Sequence, residues 1–193
     1  MVADKLLVSL YRANQGVLAH KLGLVETLVS KFGQVEAQQL FQRRCDVVNA
    51  TVGQHFRHST DHMERAVLAA LDYQQSEIHY DVRQRGKLDE YDLNAAAKRV
   101  RRVQNLFDQI GSFTPSMHHP TQAYFMLSGD DASELALPTT VARELAFGAH
   151  HAIHHLALVR IICFHTLGMD MDDLPPDFGR APSTLNFDAG RSS

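Results

Sequence analysis

Between residues 139 and 167 the chain is apolar on nearly every side of a helix, yet it carries His150, His151, His154 and His155 within six consecutive positions. A helix with no polar face must be enclosed by other elements, so this one stretch demands a fold with several partners around it. Three further stretches can supply them. Residues 5–32 repeat apolar side chains at spacings of three and four (Leu6, Leu7, Leu10, then Val17, Leu18, Leu24, Val25, Leu28), which predicts a long helix through Gly16 and Gly23. A second helix starts at Asn49 or Thr51, both good N-caps, and runs without proline to about residue 74, with Val52, Phe56, Met63, Val67, Ala70 and Leu71 on one side. A third covers residues 89–111, with Val100, Val103, Leu106, Phe107 and Ile110 as its buried stripe. Thr139 or Thr140 caps the last helix and Gly168 ends it.

The remaining segments read as connections. Residues 76–88 are polar, with Gly86 as a breaker. Residues 111–138 hold Pro115, Pro120, Gly129 and Pro138 and cannot form one helix, although 123–127 can pair as a short strand. The expected fold is therefore all-α: a four-helix bundle over residues 1–168, with a long irregular connection before the last helix. Residues 169–193 read as a C-terminal turn and flexible tail.

Composition narrows the function classes. At 193 residues the chain can bury a core without needing disulfides or metal merely to fold. A formal net charge of −3 argues against a nucleic-acid partner, and no apolar run approaches the roughly 20 residues of a membrane span. An acid near the N-terminus and the lack of a small-residue cleavage site argue against a signal peptide. Cys45 and Cys163 are too far apart to suggest a CxxC site or a disulfide framework, so the expected setting is the reducing cytoplasm, with Cys163 in the core and Cys45 exposed. The run Lys98, Arg99, Arg101, Arg102 reads as a solvated helix face.

Histidine is the anomaly. Seven of the 12 histidines fall in two windows: His55, His58 and His62 on the second helix, and the four on the last. On a helix His58 and His62 lie about 40° apart, with His55 close to them. The late window contains two i, i+4 pairs, His150/His154 and His151/His155, on neighbouring faces. Such a pair can turn two ring nitrogens toward one ion, and a third imidazole from the other window completes a three-His set with coordination positions left open. Burying unpartnered imidazoles on an apolar helix would cost about 1–3 kcal/mol each, which a metal removes. Spacing leaves the choice between the two late pairs open.

The stretches VGQHFRHSTDHME and ARELAFGAHHAIHHLALVRII, with HYDVRQR between them, resemble the DinB/YfiT-like family of four-helix metalloproteins, and an uncharacterised branch of it in particular. The resemblance covers about residues 1–168. It implies a divalent ion, zinc or nickel, held by His58, which stands in the family's Q-x-x-x-H setting with Gln54, and by His151 and His155 from the late H-x-x-H-H motif. His62 and His154 become neighbours of the ion or alternative ligands, and His55, His62 and His150 are extra to the pattern. Tyr80, Asp81, Arg83 and Arg85 gain a role toward substrate or an interface. By family habit the chain forms a homodimer. Characterised branches include metal-dependent transferases that join low-molecular-weight thiols to electrophilic small molecules; the alternative is a non-catalytic, stress-associated metal-binding or interaction bundle. There is no Gly-rich phosphate loop and no G-x-S-x-G motif to suggest another chemistry.

Overall fold

The computed structural model describes residues 5–72, 77–82, 86–112, 117–130 and 133–191. Helix α1 (Lys5–Phe41) is followed by α2 (Val52–Leu71), strand β1 (Glu77–His79), a single turn α3 (Leu88–Tyr91), α4 (Leu93–Ser112), strands β2 (Pro120–Phe125) and β3 (Leu135–Thr140), α5 (Val141–Thr166), a 3-10 turn at Met171–Asp173 and α6 (Pro182–Arg191). The chain is mostly helical, as the periodicity predicts. It is not purely all-α, because the three strands form one sheet in the order β1-β2-β3.

Local chemistry sets the helix boundaries. Thr51, rather than Asn49, caps α2: its side chain accepts the Gln54 N–H, and the Gln54 side chain accepts the Thr51 N–H in return. Thr140 likewise accepts the Arg143 N–H at the start of α5. Asp92 is extended, and its carboxylate accepts the Ala95 N–H, so the expected third helix is divided into α3 and α4. In α1 neither Gly16 nor Gly23 breaks the helix. The break falls at Gly33, whose φ of 78° only glycine adopts freely.

Helix α1 packs on α4 and α5, and α2 packs on the same two. Leu18, Leu24, Leu28, Phe41, Phe56, Met63, Phe107 and Ile162 are buried in the core between them. Gly53, in the first turn of α2, lies against the backbone of α3: a Cβ there would stand 2.1 Å from the Glu90 carbonyl oxygen. Gly53→Ala is expected to destabilise the protein by about 3 kcal/mol, the upper range for overpacking, because neither backbone can retreat without disturbing the packing of α3 on α2. The shift of the urea midpoint measures it, and a loss under about 1 kcal/mol would contradict so tight a contact.

The sheet occupies the segments read as connections. Strand β1 runs parallel to β2 with Ile78 opposite Ala123, and β2 runs antiparallel to β3 with Ala123 opposite Leu137. Ile78, Tyr80 and Ala123 pack on Ala69 and Phe147, which attaches the sheet to α2 and α5. Pro138 is tolerated because β3 is an edge strand. The C-terminal segment opens with the expected turn, at Met171–Asp173, and then continues into a helix where a tail is expected. Leu174 and Phe178 are buried, Lys31 pairs with Asp173 at 2.6 Å, and Pro182 opens α6 as the first helical residue. Cys45 is buried, not exposed, through the Cys45–Ala50 bridge. Cys163 is buried as expected, and burial pushes its thiol up to about 12.

Candidate metal centre

Helices α2 and α5 approach closely where Gly148 faces the Met63 backbone. That approach brings the two histidine windows together. The His58 Nε2 lies 3.1 Å from the His151 Nε2, which lies 3.1 Å from the His155 Nε2. The planes of these rings are steeply inclined to one another: 78° between His58 and His151, 74° between His151 and His155, and 86° between His58 and His155. Nitrogens at zinc's usual bond length of 2.0–2.1 Å stand about 2.9–3.4 Å apart when their angle at the ion lies between octahedral and tetrahedral. Both separations fall in that range, so the His58/His151 and the His151/His155 nitrogen pairs each have the spacing of two ligands on one divalent ion.

His62 also reaches the cluster, since one ring nitrogen each from His58, His62 and His151 lie within 4.8 Å of one another. Its ring, however, is stacked on His151 at 4.2 Å with only 20° between planes, and on its other face it stacks on Tyr80 at 4.8 Å. The stacking turns the face of the His62 ring toward His151, while the ring nitrogens of His58, His62 and His151 remain close enough together to hold an ion. His150 and His154 are exposed, whereas His155 is buried and His151 half-buried.

Burial, together with the neighbouring imidazoles of His58, His151, His55 and His154, lowers the His155 ring to about 2; burial, together with His154, lowers His55 to about 4. Both are therefore neutral at pH 7, the form that coordinates metal. The same shifts fix a pH dependence. An unfolded histidine titrates near 6.5, so the stability from keeping these rings neutral is complete above that pH and is lost as pH falls toward the folded values. Metal-free protein is expected to lose about 1–3 kcal/mol between pH 7.5 and 5.5, read from urea midpoints; a midpoint that is flat or rises on acidification would contradict the burial of these rings.

Tyr80 belongs to the same cluster. It is fully buried, stacks on His62 and donates its hydroxyl to Glu144 Oε2 at 2.8 Å. Glu144, also fully buried, accepts from Thr139 and Arg143 through its other oxygen, so it does more than complement the helix dipole. Asp81 accepts the Met126 N–H and ties the end of β1 to the end of β2. Arg83 and Arg85 lie outside the described residues.

Lys98, Arg101 and Arg102 are exposed, as the solvated-face reading expects, but Arg99 turns inward into a charge network on the other side of α2. Arg99 bonds Asp61, Glu64 and Asp89, each at 2.5 Å, and its side chain is only 14% exposed. Arg57 bonds Asp61 and Glu90, and Arg102 also reaches Glu64. These ties fix α2 against α3 and α4, and so set the direction in which His58 faces. Only the i, i+4 pair Arg57/Asp61 signals this network in the sequence.

The chain is similar to FK506-binding protein 5 of Rhizopus delemar. Identity is 27% over 157 residues, covering 80% of this chain and 38% of that protein. The chain thus spans well under half the length of the relative it matches, and the name of that protein refers to FK506, not to a metal. No protein-family model matches the chain. No solved structure matches it either. Among the described residues no helix is long and apolar enough to cross a membrane.

Proposed function

We propose that the chain is a divalent-metal-binding protein of the DinB/YfiT-like kind, in which α1, α2, α4 and α5 form the four-helix bundle and His58, His151 and His155 hold zinc or nickel. The observation that carries this reading is the convergence of three steeply inclined imidazoles with Nε2 separations of 3.1 Å, from two helices that the core holds together. Three neutral ligands leave the full charge of a divalent ion uncompensated and leave coordination positions open, which favours an anionic sulfur or oxygen ligand.

The reaction proposed for this site is transfer of a low-molecular-weight thiol to an electrophile. A bound divalent ion would supply the positive charge that lowers a thiol's pKa and makes thiolate available at neutral pH. The chain's own residues supply the setting. His62 is held between Tyr80 and His151 with a ring nitrogen near the cluster, where it can hydrogen-bond a bound molecule. The exposed guanidinium of Arg143 lies over Phe147, whose ring stacks on His151, and offers a cation to an anionic small molecule on the same side of α5.

Protein purified without a His tag is expected to hold about one equivalent of zinc or nickel by elemental analysis. It should speed the loss of free thiol with an electrophilic probe, and that rate should vanish on chelation. Absence of any bound or bindable metal would overturn the reading. Bound metal without thiol consumption would overturn the transfer step and favour a non-catalytic metal-binding bundle.

A further inference from the structure

His55 lies one turn before His58 on α2, on the side that meets α5. Its ring is buried, and its Nδ1 stands 2.8 Å from the Nδ1 of His155. The other nitrogen of His155, Nε2, is the one that lies 3.1 Å from His151 Nε2. A neutral imidazole carries one proton on two nitrogens, so the partner at one nitrogen decides what the other can do.

Two tautomeric arrangements satisfy the 2.8 Å contact. In the first, His55 donates from Nδ1, His155 accepts at Nδ1, and the His155 proton must sit on Nε2, where it occupies the position a ligand lone pair needs. In the second, His155 donates from Nδ1 to His55, its Nε2 is left with a free lone pair facing His58 and His151, and His55 carries its own proton on Nε2. Only the second is competent to bind an ion.

We infer that His55 is a positioning residue that accepts the His155 Nδ1 proton and thereby holds the His155 Nε2 lone pair toward the metal. The inference rests on the ligand set proposed above. Two observations favour it over simple packing. The ring contact with His155 is edge-directed through nitrogen at hydrogen-bond distance, with the planes inclined at 43° instead of stacked. The Nε2 of His55 is buried and makes no hydrogen bond among the described residues, so His155 is the one hydrogen-bond partner those residues offer the ring. A position that only filled space would be served better by an apolar side chain. Histidine ligands that donate their second N–H to a fixed acceptor are a general feature of metal sites, and here an imidazole takes the place usually held by a carboxylate or carbonyl.

The test uses the whole protein with zinc, measured by competition with a chromogenic chelator, and with cobalt, read by its absorption spectrum. His55→Leu removes the acceptor, while His55→Asn places an amide oxygen close to the position of Nδ1. His55→Leu is expected to weaken zinc binding by about 10–100-fold and to alter the cobalt spectrum, while thermal melting of the metal-free protein does not fall. His55→Asn should restore zinc affinity to within a few-fold of the parent. If His55→Leu lowers the metal-free melt, His55→Phe, which keeps a planar ring without an acceptor, takes its place in the comparison. Zinc binding by the acceptor-less variant within twofold of the parent would overturn the inference, as would His55→Asn binding as weakly as that variant. A parent protein that binds no zinc would instead overturn the ligand set itself.

Discussion

Replacing His151 by alanine is expected to weaken binding of a divalent ion at least about a hundredfold, and His155→Ala should do the same. Structural zinc sites with four ligands bind with about 10–16 kcal/mol, so one ligand accounts for roughly 3 kcal/mol, or about two powers of ten in affinity. His58→Ala belongs with these two. His150→Ala should leave affinity nearly unchanged, because His150 is exposed on a neighbouring face of α5. His62→Ala should fall between, since it removes a ring stacked on His151 rather than a lone pair aimed at the ion. Affinity in the parent should also fade as pH drops below about 6.5, because a protonated imidazole cannot coordinate metal. Competition titrations across the five variants settle the order. Loss of binding in His150→Ala with retention in His151→Ala would reverse the assignment.

The largest effect on stability is expected at Arg99. Its guanidinium joins Asp61, Glu64 and Asp89, and the three carboxylates are at most 10% exposed. Burial opposes the Arg99 charge, but the hydrogen bonds and charges of Asp89 and Asp61 outweigh it and raise its pKa. Arg99→Ala leaves those carboxylates crowded with too little positive charge, and breaking a buried ion network in this way costs about 3–5 kcal/mol. Arg99→Lys keeps the charge but cannot fork to three partners, so an intermediate loss is expected. Urea midpoints measure both. A loss below about 1 kcal/mol in Arg99→Ala would mean that the carboxylates take up protons or swing into solvent. Because the network holds α2 against α3 and α4, zinc affinity should fall along with stability in Arg99→Ala.

The long helices were legible because apolar period, capping residues and terminal glycine agreed with one another, as at Thr51, Thr140 and Gly168. The sheet was not. Strand β1 has only three residues, too few to show an alternation, and β3 carries Pro138 and exposes Leu135 and Leu137. The pairing of β1 with β2 also joins residues some 45 apart, which no local pattern reports. Helix α6 looked like a tail because Leu185 and Phe187 are its only large apolar residues and leave no period to read, and none of it is buried.

At the site, i, i+4 spacing identified both late histidine pairs but could not rank them. Ranking needs the face of α5 that turns toward α2, and a helix apolar on nearly every side does not announce it. The family motif pointed to His151 and His155, and burial of His155 with exposure of His150 and His154 gives a physical reason to prefer that pair. The charge network failed to appear for a related reason. A basic run looks alike whether water or carboxylates surround it, and Asp61 lies 38 residues away from Arg99. Tyr80 and Glu144 sat on a connection and at a helix start, where exposed polar residues are usual, yet both are fully buried and bonded to each other, with Tyr80 stacked on His62.

The ligand set is tested most directly by a crystal structure of protein purified without a His tag and loaded with zinc, with anomalous scattering recorded at the zinc edge. One peak is expected within about 2.0–2.3 Å of the Nε2 atoms of His58, His151 and His155. A peak held by His150 and His154, or by His62 in place of His155, would contradict it.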